Sequence, residues 1–247
     1  MNSVNSDLVM LLSDDVWSSM EYQDCVLEFI GLSQSSAKQL ITDYNDNTPL
    51  GNILKQLYQK TSFFAFILRK NDEIFCAVDP TRSYPISFKR DQKNFGVGNF
   101  DLLTDYSAIS SDTRDVEMFL SSGYFLGDRT ISKDVASIPA GNYLIYKDSK
   151  YLIEQYHRYC PQLFNTENRI FHDDELHYHI DRSLNTSIQN TIEKADGRRI
   201  VLSLSAGLDS RLILSKLLEN KYDNIECISW GPLGNGDSTG AARIASL

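Results

Sequence analysis

The rhythm of hydrophobic positions changes once along the chain and divides it into two regions. In the first, short apolar runs alternate with turn-forming residues. Val26-Leu27-Glu28-Phe29-Ile30 reads as a strand. Residues 63–68 and 74–78 are apolar runs flanking Lys70-Asn71-Asp72, the pattern of a hairpin. A helix is predicted over 49–60, capped by Thr48 with Pro49 in its first turn. Another is predicted over 112–121 and stopped by Gly123. A second hairpin pairs 142–146 with 151–156 across Lys147-Asp148-Ser149-Lys150. Strands that pair locally, with a few helices between them, predict an α+β sandwich-like domain.

Beyond Cys160 the rhythm lengthens. After an irregular stretch to about His172, Leu176, Ile180, Leu184, Ile188 and Ile192 recur every four residues, one face of an amphipathic helix over 174–194. Residues 200–204 then read as a buried-type strand, 208–219 as a helix, 225–230 as a strand and 237–247 as a helix. Strand, helix, strand and helix with short links predict an α/β domain with a parallel sheet and a right-handed crossover. The expected organisation is therefore a first domain over 1–160 and a second over 173–247. Two strands and two helices do not cover both faces of a parallel sheet. Together with a last helix that runs to Leu247 without a stop signal, this predicts a truncated second domain belonging to a longer protein.

Composition narrows the picture mainly by exclusion. With 42% hydrophobic and 11% aromatic residues, the chain can bury a core. A net charge of −9 argues against a nucleic-acid partner, which needs a basic face. Cys25, Cys76, Cys160 and Cys227 show neither CxxC pairing nor metal-ligand spacing, as expected of reduced thiols. No signal-peptide pattern and no apolar run of membrane-spanning length is present, so a cytoplasmic protein without membrane contact is expected.

The chemistry concentrates where the predicted strand at 200–204 meets the next helix, in Ser205-Ala206-Gly207-Leu208-Asp209-Ser210. A Ser/Gly turn at a helix N-terminus presents free N–H groups to an anion, and the helix dipole adds to the attraction. Gly207 permits close backbone approach, and the Ser205 and Ser210 hydroxyls are available as donors. Asp209 would repel a phosphate unless a Mg²⁺ lay between them, which makes it the candidate metal ligand. The sequence lacks GxxxxGK[ST], so this is not a Walker loop. The bland alternative is an ordinary serine-rich helix start.

The order Ser-x-Gly-x-Asp-Ser resembles the loop of the ATP pyrophosphatases, and further segments resemble the asparagine synthetase-like family. Phe63-Phe64-Ala65-Phe66 followed by Ala77 to Ile86 is similar to the hairpin and Asp…Pro-Leu turn of that family's glutaminase domain. Gly123 to Thr130 and Ile138-Pro139-Ala140-Gly141-Asn142-Tyr143 are similar to the segment that closes it, and the helix at 174–194 to the approach to its synthetase domain.

The resemblance implies an N-terminal-nucleophile hydrolase-like first domain and an ATP pyrophosphatase second domain. It implies an ATP- and Mg²⁺-dependent amide ligase that adenylates an aspartate-like carboxylate, with ammonia or another amine then displacing AMP. Ser205, Gly207, Asp209 and Ser210 would hold the pyrophosphate side, and Leu204 and Trp230 would lie beside adenine. A further alternative keeps the adenylation chemistry but changes the acceptor, as in relatives that close a ring or modify a sugar acid or peptide. A non-catalytic interaction module is the alternative from another class, and the oligomeric state stays open, a homodimer included.

Two departures qualify the resemblance. The family's glutamine-hydrolysing members use a Cys after Met removal, whereas Asn2 stands here, and Gly96-Val97-Gly98-Asn99 is a poor echo of the glutamine-binding stretch. The first domain is therefore expected to lack glutaminase activity, with no catalytic residue assigned. Ala206 replaces the usual second glycine, adding a methyl near the phosphates and disfavouring positive φ. Other signals weigh less. His177 and His179 diverge on a helix, Asp173, Asp174 and Glu175 suit its first turn, and His157 reads as structural; Arg82 reads either as a relic of substrate binding or, more commonly for a hairpin turn, as a solvated residue. The Gly231-to-Asp237 loop reads equally as connector or as nucleotide-site wall.

Overall fold

The computed structural model describes residues 9–12, 16–91, 94–104, 113–159, 172–232 and 234–246. Met1, Asn2, Asp112, Cys160, the stretch 161–171, Leu233 and Leu247 lie outside that description. The described residues form a mixed α and β structure with several sheets, and the chain divides into two compact units, Met1–Pro161 and Gln162–Leu247.

The first unit is built on a six-stranded antiparallel sheet. Its strands are β2 (Ser18–Tyr22), β3 (Cys25–Ile30), β4 (Ala65–Lys70), β5 (Glu73–Val78), β9 (Asn142–Lys147) and β10 (Lys150–Gln155), in the order β10-β9-β5-β4-β3-β2. β4 and β5 are apolar on both faces because both faces are covered. Phe66, Leu68, Phe75 and Ala77 pack against α1 (Gln34–Asn45) and α2 (Leu50–Lys60). Ala65, Ile67, Ile74, Cys76 and Val78 pack against a second, four-stranded sheet. That sheet comprises β1 (Val9–Leu11), β6 (Ser87–Lys89), β7 (Gly96–Gly98) and β8 (Val135–Ser137), ordered β1-β7-β6-β8 with β1 and β7 parallel. Phe88, Val97 and Ala136 face the six-stranded sheet, and α3 (Phe100–Leu103) contacts β6, β7 and β8. The fourth helix of the unit is α4 (Thr113–Ser122). The unit is thus an α+β sandwich of two sheets with helices at its outer faces.

Both predicted hairpins form, and their tight turns use left-handed residues, Asn71 in one and Asp148 with Ser149 in the other. Thr48 does not cap α2. The N-cap is Pro49, at φ −52° and ψ 126°, with no side-chain hydrogen bond. Its carbonyl accepts the first helical bonds while its ψ of 126° is extended, so the helix begins one residue later than expected.

The turn after β5 is organised by Asp79, a fully buried carboxylate. It accepts hydrogen bonds from the N–H groups of Phe64 (3.2 Å), Thr81 (2.8 Å) and Ser83 (3.1 Å), and from the Thr81 hydroxyl (2.7 Å). A buried charge is tolerable only when its lone pairs are satisfied in this way. Gly141 (φ +67°) permits close chain approach, since a Cβ there would lie 2.5 Å from the His157 carbonyl oxygen. His157 itself packs against Tyr58, with ring centroids 5.3 Å apart.

The second unit consists of α5 (Asp173–Ala195), β11 (Ile200–Ser203), α6 (Leu208–Glu219), β12 (Ile225–Ile228) and α7 (Gly236–Ala245). β11 and β12 are parallel, with Ser203 opposite Ile228. α5 packs on α6, joined by Lys216 Nζ to Asp181 Oδ1 at 2.6 Å. Leu202 and Leu204 meet Ala241 and Ile244 of α7, with Leu214 and Ile225, in a small core. The alternate positions face outward, leaving Val201 56% and Ile228 40% exposed. One face of this sheet is therefore bare among the described residues.

Candidate functional site

The sharp turn from β11 into α6 carries the Ser/Gly loop. β11 delivers the chain at a fixed height because Leu204 N–H donates to Ile228 O at 2.9 Å, one residue beyond the strand. Gly207, at φ −69° and ψ 158°, is the N-cap of α6, and no side chain caps the helix. The first N–H groups of α6 therefore lack the oxygen that Ser, Thr, Asp or Asn would supply at the cap. A Cβ at Gly207 would come 3.0 Å from Ser205 Oγ, so a side chain there would press on the serine hydroxyl that shapes the turn.

The two serines tie the loop together. Ser205 N–H donates to Ser210 Oγ (3.1 Å), the two hydroxyl oxygens are 3.1 Å apart, and Gly207 N–H donates to Ser205 Oγ (3.1 Å). These hydroxyls shape the turn and would have to redirect their protons to meet a phosphate. Asp209 is exposed in the first turn of α6, where the helix dipole favours a carboxylate.

Among the described residues, no cluster of three or more His, Cys, Asp and Glu side chains is placed to hold a metal. Asp209 fits Mg²⁺ only in the mode where one carboxylate meets a cation carried largely by nucleotide phosphates and water. His177 and His179 contribute to no such cluster, and His179 lies 3.9 Å from Glu175.

Leu204 and Trp230 fall at the same C-terminal edge of the sheet, the edge where parallel sheets take ligands. The Leu204 side chain is buried in the core, so only its backbone can serve a ligand, whereas the Trp230 ring is 70% exposed.

Two residues that the motif does not contain shape this site. Ala206 is not in the left-handed region, so the methyl causes no backbone strain there. Its methyl lies against α7, where a Cβ on Gly240 would come within 2.6 Å of it. The alanine is accommodated because Gly240 has no side chain. Arg211 Nε donates to Gly207 O at 3.1 Å, placing a guanidinium beside the loop. Arg211 follows the motif immediately, but its role depends on a rotamer that spacing does not encode. Gly240 lies 33 positions beyond Gly207, a separation bridged only by the crossover.

In the 231–237 loop, Asn235 Oδ1 accepts from Ser238 N–H at 2.6 Å and caps α7, a structural use of that segment. In the first unit, Cys25 and Cys76 are buried, and burial pushes both thiols upward. No family model and no curated protein matches the chain.

Proposed function

We propose that the chain carries the nucleotide-binding loop of an asparagine synthetase-like, ATP-dependent amide ligase. In this reaction a carboxylate oxygen attacks the α-phosphorus of ATP and pyrophosphate leaves. An amine, ammonia in the simplest case, then attacks the acyl-adenylate carbonyl and AMP departs. Residues 205–210 hold the departing pyrophosphate through the first N–H groups of α6, and Arg211 adds positive charge beside them. Bound Mg²⁺ would supply charge neutralisation of the phosphates, with Asp209 as its protein ligand. Trp230 offers an exposed aromatic face to adenine at the sheet edge.

The observation that carries the reading is the N-terminus of α6, preceded by a parallel strand, capped by Gly207 and left without a side-chain cap. An ordinary serine-started helix would use its serine as the cap. The first unit's two-sheet sandwich supports an N-terminal-nucleophile hydrolase-like domain. Burial of Cys25 and Cys76 supports the view that neither thiol hydrolyses glutamine. The bare face of the β11–β12 sheet favours a second reading, a non-catalytic interaction protein whose loop is too weakly supported to hold a nucleotide.

Equilibrium binding of Mg·ATP separates the two. The ligase reading expects saturable binding that Ser210→Ala weakens by roughly tenfold, the worth of about one charge-assisted hydrogen bond. Absence of saturable binding at millimolar nucleotide would refute it.

A further inference from the structure

A cavity within the first unit has the make-up of a ligand site. Its volume is about 350 Å³. The strand alternation that turns Phe88 and Ala136 toward the six-stranded sheet turns Ser87 and Ser137 to the opposite face, and both line this cavity. The rings of Phe100, Phe119, Tyr124 and Phe125 also line it, with Phe119 and Phe125 stacked at 5.1 Å between centroids. Arg82 is the cationic group to be explained. Arg129, which also lines the cavity, is already paired with Asp115.

Arg82 differs from Arg129 in two ways. Its side chain is half-buried yet has no hydrogen bond or ion pair among the described residues. Its backbone is left-handed, with φ 54°, held by the Asp79 turn through a hydrogen bond from Arg82 N–H to Asp79 O at 3.0 Å. A glycine would fit that φ better, so the arginine is not explained by the turn. Ser87, 2% exposed, lines the same cavity. The larger cleft of about 470 Å³ near α2 differs, because Lys147 pairs with Glu73 and Lys70 with Asn45.

We propose that this cavity binds a small organic carboxylate with an aromatic or bulky apolar body. The planar guanidinium of Arg82 matches a carboxylate in two parallel hydrogen bonds, and the rings receive the apolar part. The Ser87 hydroxyl serves a polar substituent, while the Ser137 hydroxyl, which donates to Ile86 O at 3.3 Å, can only accept from it. A phosphate monoester fits less well, since its second charge would face aromatic walls without a free counter-ion.

Phenylacetate is the probe, with phenylacetamide as its neutral counterpart, titrated onto the full chain by ligand-observed NMR. Saturable binding of phenylacetate is expected, with affinity at least about tenfold lower for phenylacetamide and for Arg82→Gly. Glycine accepts the left-handed turn, so the variant should keep its thermal midpoint, and the amide comparison needs no variant. No saturation up to about 10 mM, or equal binding of acid and amide, would overturn the proposal. Unchanged binding by a folded Arg82→Gly would do the same.

Discussion

Ala206 and Gly240 show how a substitution in a motif is absorbed by a residue far away in sequence. The methyl that replaces a second loop glycine is directed at α7, and Gly240 leaves room for it. Gly240→Val should therefore displace the 205–210 turn and weaken Mg·ATP binding at least tenfold, while far-UV circular dichroism changes little. Unchanged binding by a folded variant would separate α7 from the loop. Elsewhere, Glu73 ties β5 to β9 through Lys147, and the Lys147 ammonium holds the Glu73 carboxyl below its ordinary 4.5. A lowered folded value means that its stabilisation is present above pH 4.5 and lost as pH falls through the folded value. Glu73→Gln should lower stability slightly at neutral pH, as expected for an exposed pair, and the gap from wild type should close in acid. Urea denaturation at pH 7 and pH 3 measures both.

Among the elements, those with a strong local pattern were legible in the sequence. α6 runs over Leu208–Glu219 as expected, and both hairpins sit where their turn residues placed them. The short strands β1, β6, β7 and β8 were not legible, because three residues carry too little alternation to stand out. α1 was also missed. Its apolar positions are few, although Ser33 marks its start by accepting from Ser36 N–H at 3.1 Å. β5 shows why its all-apolar run is informative, since it is buried on both faces. Phe75 meets Tyr44, Phe66 and Tyr143 at centroid distances of 5.7, 5.1 and 5.8 Å. Phe75→Ala should cost about 3–5 kcal/mol in chemical denaturation, and a loss below about 1 kcal/mol would contradict the packing described.

At the scale of the whole molecule, the two units differ in how much core each holds. The first has two extensive clusters on either side of one sheet, whereas the second gathers Leu202, Leu204 and Ala241 with a few partly buried neighbours. The strand–turn–helix setting of the Ser205-to-Ser210 loop was legible because the loop is contiguous with its own strand and helix. Gly240, Arg211 and the cavity beneath Arg82 were not, since each depends on contacts that only the folded chain makes. The role proposed for this loop is to hold pyrophosphate during adenylation of a carboxylate. The most direct measurement is exchange of labelled pyrophosphate into ATP by the full chain with Mg²⁺ and a panel of carboxylates that includes aspartate. Exchange is expected to depend on one acid of the panel and to fall at least tenfold in Asp209→Asn. Binding of ATP without exchange for any acid would contradict it.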